Sequence, residues 1–290
     1  MKAAVPMIAC LRPFQGSAVP NEPATALVVT LHGVGNASTA LNDAGAARYR
    51  VATELFAHLV ETCAAAPVCR AAAFSEQRSG AWLVLTFDDG LLSDFDVVAP
   101  MLAEAGLCGT FFVTTSNVGR PGYATWDHLR QMADAGMEIA SHGIRHEYLV
   151  TKPRRDAMRE MRDSKLQIEH QLGLRVRAFA PVGGHHQVWM SRYARQVGYV
   201  AFATMVPGLS VADARWVELR RNHVQAHHTA YDIDRLVARD RRLLWRNRIR
   251  YELLRLPKVA LGMPRYDRVK RAILRLADGA GRPARTSSPG

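Results

Sequence analysis

Residues 81–90, Ala-Trp-Leu-Val-Leu-Thr-Phe-Asp-Asp-Gly, constrain the fold more than any other part of the chain. An apolar, β-favouring run of this length reads as a strand buried on both faces, the kind found in parallel sheets, and here it ends in two carboxylates and a glycine. Asp88 and Asp89 at the mouth of a buried strand are costly without a cation nearby. A second stretch supplies partners for one. Residues 138–146, Glu-Ile-Ala-Ser-His-Gly-Ile-Arg-His, end another apolar run in His142 and His146, spaced so that both imidazoles can reach a single metal ion.

The pattern repeats along the chain. Residues 24–31 form an apolar strand that ends in His32 and two glycines, and further strands are expected at 108–114, 137–140, 176–180 and 199–204. Helical spacing of apolar residues falls between them, at 48–64, 94–106, 126–136, 153–172 and about 189–197. Strand and helix in alternation imply an α/β fold with a parallel sheet. Because polar clusters recur at the C-terminal ends of strands, a distorted (β/α) barrel with its site on that face is favoured, and an open doubly wound sheet is the alternative. The chain has no Gly-rich phosphate loop, which argues against a nucleotide site.

Charge divides the chain. The net charge is +12, and all of it belongs to residues 235–290, where 16 Lys or Arg face 4 Asp or Glu. The expected organisation is an irregular lead-in at 1–23, a barrel at 24–234, a basic helical extension at 235–277 and a disordered tail at 278–290. Within the extension, Trp245, Ile249, Leu253 and Leu256 share one side of a helix over 235–256 that Pro257 should stop. Packing of that side on the barrel is the first expectation. Peripheral contact with an anionic membrane surface is the second, and nucleic acid, for want of interleaved aromatic residues or a binding motif, is the third.

Four cysteines, Cys10, Cys63, Cys69 and Cys108, make no disulfide framework, although a Cys63–Cys69 bridge is left open. Few cysteines and a weak leader, broken by Pro6 and Arg12, point to the cytoplasm, with the inner membrane face as a site of peripheral contact and export left open.

Hydrolysis of an unactivated amide needs a strong nucleophile and a way to stabilise the oxyanion, and a divalent metal supplies both, lowering the pKa of its water from ~15.7 to about 7. Asp89, His142 and His146 would be three ligands, with positions left for water and substrate. Asp88 would then take the water's proton, and His32 would protonate the leaving amine. A lone Asp-Asp-Gly is usually a solvated turn, and a lone HxxxH on a surface helix usually carries no chemistry. Both together, each after an apolar strand, point to a metal site.

Thr86-Phe-Asp-Asp-Gly90, with Ala99-Pro-Met-Leu102, Gly109-Thr-Phe-Phe112, Trp126, Gly136 and Glu138-Ile-Ala-Ser-His142 with His146, resembles the polysaccharide deacetylases of the NodB homology type, carbohydrate esterase family 4. The resemblance is dense over about 81–150 and thinner to about 206. It implies a distorted barrel and metal-dependent removal of acyl groups, mostly N-acetyl, from the amino sugars of a polysaccharide, oligosaccharide or lipid-linked glycan. It makes Asp88 the base and Asp89, His142 and His146 the ligands of a divalent metal, zinc first, with cobalt, nickel or manganese as alternatives.

Three departures stand out. Gly143 occupies a position where the family has Ser or Thr, so a bracing hydrogen bond is expected to be missing. The segment Phe179-Ala-Pro-Val-Gly-Gly184 lacks the arginine and the aromatic residue of the family's third motif. No late Leu-x-x-His motif supplies an acid. The strand ending at His32 instead resembles the permuted subgroup that includes the poly-N-acetylglucosamine deacetylases, which implies His32 as the acid, with His227 or His228 as the alternative. Leu219-Arg-Arg-Asn222 resembles a Leu-Pro-Arg-Ile segment of that subgroup, so that Arg221 would keep Asp88 ionised. A deformylase acting on a lipid-linked amino sugar, or a glycan-binding scaffold without turnover, are the rival readings.

Overall fold

The computed structural model describes residues 23–35, 49–212 and 216–261, with side chains described to residue 255. In chain order the strands are β1 (Thr25–Leu31), β2 (Gly33–Val34), β3 (Arg50–Val51), β4 (Ala81–Asp89), β5 (Thr110–Val113), β6 (Glu138–Ser141), β7 (Ala178–Phe179), β8 (Ala201–Thr204), β9 (Ser210–Val211) and β10 (Val217–His223). Seven of them pair in parallel in the order β10-β8-β7-β6-β5-β4-β1, and β1 pairs back onto β10, so the sheet closes into a barrel. The open doubly wound alternative is thereby excluded. The short β9 runs antiparallel to β1, and β2 and β3 make a separate parallel ribbon.

The helices are α1 (Thr53–Ala64), α2 (Ala71–Phe74), α3 (Ala99–Glu104), α4 (Trp126–Asp134), α5 (Arg154–Leu172), α6 (Val188–Gln196), α7 (Ala230–Val237) and α8 (Arg241–Leu261). Asp94–Val98 form a π-helical turn ahead of α3 where one continuous helix was expected. α4 starts on a reciprocal cap between Thr125 and His128, and α5 ends on Gly173 in the left-handed conformation.

Strand periodicity of two sorts the core into two faces. Leu27, Val29, Leu31, Leu85, Phe87, Phe111, Ile139 and Phe202 point outward and pack with helix residues such as Phe56, Leu59, Leu102, Leu129, Met161 and Met190. Each such side chain contributes about 1.5–3 kcal/mol by burial, and truncating the wholly buried Phe87 to alanine would cost about 3–5 kcal/mol. The alternate residues, Ala26, Val28, Val84, Phe112, Ala140, Ala178, Ala201, Ala203 and Leu219, line the interior with mostly small side chains. α2 plugs the N-terminal end: the Ala71 amide donates to Thr110 Oγ1 and the Ala72 amide to Glu138 Oε2.

The register carries this alternation to the other end. Leu31 is level with Phe87, Asp88 with Phe112, Val113 with Ser141, and Ser141 with Phe179. The next residues on the interior face, His32, Asp88, Thr114, His142 and Ala180, therefore stand around the C-terminal mouth of the barrel. Five separate strands deliver polar side chains or carbonyls to one rim.

The end of the chain departs from expectation. A single helix over 235–256 was expected, but α7 stops where Arg239 adopts a left-handed φ of 57°. Asp240 Oδ1 then accepts from the Arg242 and Leu243 amides and starts α8. α8 runs through Pro257 to Leu261 instead of ending at the proline. A proline removes one helical amide, and α8 continues only four residues beyond it. Trp245, on the side expected to pack, is exposed, whereas Leu243 and Leu244 are buried in the core. The cap at Asp240 sets the helix phase, so the residues directly after it are the ones that turn inward. Compactness divides the chain after Trp245. The second basic helix expected at 265–277, the tail at 278–290 and the lead-in to residue 22 lie outside the described residues. Among the described residues no helix is long and apolar enough to cross a membrane.

Candidate active site

Asp88 is the last interior-facing residue of β4, and Asp89 would by alternation face outward. Instead Asp89 has a φ of 82°, a conformation that residues other than glycine seldom adopt. The turn brings its carboxylate beside the two histidines, with Oδ1 2.9 Å from His146 Nε2 and 3.6 Å from His142 Nε2. Backbone strain of this kind costs about 1–3 kcal/mol and persists where the surrounding structure enforces it.

One ligand atom each from Asp89, His142 and His146 lies within 4.8 Å of the others, the one such cluster found among the described residues. The donor set fits a divalent cation for two further reasons. His142 Nδ1 is 2.7 Å from the Ala180 carbonyl, and donating there leaves Nε2 with a free lone pair facing the cluster. Apart from the close approach of His146, the buried Asp89 Oδ1 has no partner. An acceptor stranded between two ring nitrogens is what a cation would satisfy.

Behind this cluster Asp88 is sealed from solvent. Arg221, from β10, is also buried and places Nη1 2.6 Å from Asp88 Oδ1. Its guanidinium is aimed by the Thr204 carbonyl at 3.1 Å and by Thr30 Oγ1 at 3.2 Å, and it lies over the Phe112 ring. Burial pushes the Asp88 carboxyl upward, but the charges of Arg221, His142 and His32 and the Arg221 hydrogen bond outweigh it and hold the group below the usual carboxylate range. Burial acts the same way on Asp89 and is again overcome, by the contact with His146 and the charges of His32, His146 and His142. His142 is pushed down by burial against the pull of both carboxylates, while contact with Asp89 raises the half-exposed His146 despite its burial.

Asp94 was not singled out from the sequence. Its Oδ2 accepts from the Leu91 amide at 2.9 Å, and burial, reinforced by Asp89 and Asp88, raises its carboxyl well above the usual range.

The departure at residue 143 has a structural answer. Gly143 has a φ of 87°, which a Ser or Thr would adopt only under strain, and a Cβ there would meet Glu160 Oε2 at 3.5 Å. That oxygen accepts from the Ile144 amide at 2.8 Å and the Arg145 amide at 2.9 Å, so the loop carrying His146 is braced from α5. The expected missing brace is supplied by Glu160. Similarly, the arginine absent after Phe179 has its counterpart in Arg221, one strand further round than β8. Gly184, in the same segment, lies so close to Met205 that a Cβ would overlap it at 2.3 Å.

His32, one residue past Leu31, stands level with Asp88 through the β1–β4 register. Its ring packs against Tyr49 and His223, with centroids at 5.2 and 4.7 Å. The His227 and His228 rings meet at a tilt, 4.4 Å between centroids, in the loop after β10, where His228 Nδ1 accepts from the Gln225 amide. No strand was expected before them, yet β10 ends four residues upstream of His227.

A closed parallel barrel with its polar rim at the C-terminal mouth defines a class, the NodB-type (β/α) barrels. Residues 76–202 match the family model for polysaccharide deacetylase. YxkH of Bacillus subtilis (strain 168), whose name places it with the polysaccharide deacetylases, is 27% identical over 143 residues, 49% of this chain and 51% of the relative. The match thus spans about half the length of that curated relative. The structure of the Streptococcus pyogenes deacetylase PplD in complex with acetate superposes with a TM-score of 0.64 at 19% identity, over 74% of this chain and 99% of that one. IcaB from Ammonifex degensii gives 0.60 at 21% identity, over 73% and 95%.

Proposed function

We propose that this domain is a metal-dependent hydrolase that removes N-acetyl groups from amino sugars of a polysaccharide, an oligosaccharide or a lipid-linked glycan. The observation that carries the reading is the convergence of Asp89, His142 and His146 within 4.8 Å, directly beside a buried carboxylate held ionised by Arg221.

Asp89 Oδ1 and the Nε2 atoms of His142 and His146 would hold a divalent cation, zinc being the ion best suited to two imidazoles and a carboxylate with open positions. When bound, that ion supplies an acidified water and a polarised acyl carbonyl. Asp88 takes the water's proton, and the Arg221 charge keeps Asp88 free to accept it at neutral pH. The Ala180 carbonyl fixes the His142 ring so that its orientation does not change during turnover. His32 gives a proton to the sugar nitrogen as the carbon–nitrogen bond breaks, releasing acetate and a free amine. Its place level with Asp88, and the reach of its charge to both Asp88 and Asp89, support His32 over His227 and His228 in this role.

The test is acetate release from a panel of N-acetylated amino-sugar oligomers by protein of measured metal content. The expected result is turnover that tracks metal occupancy, and metal-loaded Asp88→Asn should retain the ion and lose activity. Turnover unchanged in Asp88→Asn would remove the assigned base. Formyl donors in the same assay separate deacetylation from deformylation. Binding of glycans with no acyl release from any member would leave a scaffold.

A further inference from the structure

The proposed reaction uses His32 and leaves a second histidine beside it without a role. His223 is the last residue of β10, level with Thr30 of β1, and therefore reaches the same rim as His32 from the neighbouring strand. Its ring is 4.7 Å from His32 and 5.3 Å from Tyr49, almost parallel to the latter at 8°, and Tyr49 in turn is 5.2 Å from His32. Two aromatic rings, in contact with each other, thus pack around the proposed acid. Rings at such separations attract by about 0.5–1.5 kcal/mol beyond burial, enough to select one orientation of an imidazole at the end of a strand.

His223 is itself held. Its Nδ1 lies 3.1 Å from the Gln225 side-chain amide, and the Gln225 backbone is fixed by His228 Nδ1 at 3.0 Å. The buried Nε2 of His223 has no partner, and neither has the buried Nδ1 of His32, whose orientation therefore comes from ring packing. We infer that His223 is a positioning residue for this reaction: stacked with Tyr49, it fixes the His32 imidazole in the orientation that delivers a proton to the leaving amine.

The electrostatics agree. Burial first, then the charges of His32, Arg221 and His228, push His223 well below the usual histidine range against the opposing pull of Asp88. A ring that stays neutral can stack on a protonated neighbour without repelling it.

The inference rests on His32 being the acid, so the experiment separates the two. In metal-loaded protein, His223→Ala should lower kcat about tenfold or more with KM and metal content unchanged, as a misplaced catalytic group does. His223→Phe, which keeps a ring and loses both nitrogens, should recover to within about threefold of the parent. The His32 ring protons, assigned by their loss in His32→Ala, should move from their parental shifts in His223→Ala, where only the Tyr49 ring remains beside them, and stay close to those shifts in His223→Phe. Should the alanine variant fail to fold, the phenylalanine variant decides by itself: a kcat loss of about tenfold or more there would overturn the stacking role. Parental kcat and unmoved His32 resonances in both variants, with His32→Ala inactive, would overturn the inference alone. Full acetate release by His32→Ala would overturn the acid assignment and the inference with it.

Discussion

Arg221 and Asp88 meet at 2.6 Å from the two strands that flank β1, and the two residues are 1% and 2% exposed. No other ion pair in the described structure is so completely buried on both sides. Such a pair makes Asp88 dependent on a residue 133 positions later in the chain.

Removing one member strands the other. Arg221→Met is expected to lower stability by about 3–5 kcal/mol, measured by denaturant unfolding, and to lower acetate release by at least about 100-fold, because the buried Asp88 then takes up a proton. Asp88→Asn combined with Arg221→Met should be more stable than Arg221→Met alone, since the remaining buried group is neutral. If the double variant is no more stable, the pair is not the source of the loss.

Metal binding should be visible in thermal unfolding without any substrate. A divalent ion present at 100 times its dissociation constant stabilises the folded chain by about 2.7 kcal/mol, so zinc should raise Tm and a chelator should reverse it. Asp89→Asn and His142→Ala should each abolish the rise. A rise of equal size in either variant would place the ion elsewhere.

The loop behind His146 offers a third test. Gly143→Ala forces a side chain into a backbone of φ 87°, and a loss of about 1–2 kcal/mol is expected from melting curves. Glu160→Gln keeps the shape and weakens the bond to two amides, so it should lower metal affinity while leaving the barrel folded. Isothermal titration with zinc measures that loss directly.

Burial pushes the Cys63 and Cys69 thiols up to about 12. The thiolate is the reactive form, so at pH 8 only about one molecule in ten thousand carries it at either position. Both are free, and they sit in different halves of the core, Cys63 outside the barrel wall and Cys69 within it. Alkylation of native protein at pH 8, read by mass spectrometry, should therefore spare both residues, and urea should expose them. Rapid labelling of either in the native state would contradict this.

The strands that could be read from sequence were those whose burial is apolar on both faces. Residues 81–89 announce themselves because interior Val84 and exterior Phe87 are equally hydrophobic. β10 escaped for the opposite reason. Val217 and Leu219 alternate with Glu218 and Arg220 as in a half-exposed strand, but the next interior positions are Arg221 and His223, and buried polar groups look like solvent-facing ones until their partners are known. With β10 unread, His223 could not be placed, although the period of two, continued from Leu219, passes through it. Tyr49 carried no signal at all, since only the three-dimensional return of the chain brings it to His32. The convergence of Asp89, His142 and His146 was legible from the Asp-Asp-Gly strand end and the His142–His146 spacing. The left-handed turn at Asp89 that completes it was not, because it violates the preference of that residue type. In α8, side-chain periodicity suggested one buried stripe, and the cap at Asp240 selected another.

The closure of β1 onto β10 has a consequence for the history of each molecule. Asp88, Asp89, His142 and His146 are all synthesised by residue 146, but the guanidinium that charges Asp88 arrives only with Arg221, and the wall holding His32 is incomplete until the last strand docks on the first. A nascent or truncated chain lacking β10 would hold a half-made pocket whose buried aspartate has no counterion. Competence for chemistry and completion of the cylinder are, in this polypeptide, the same event.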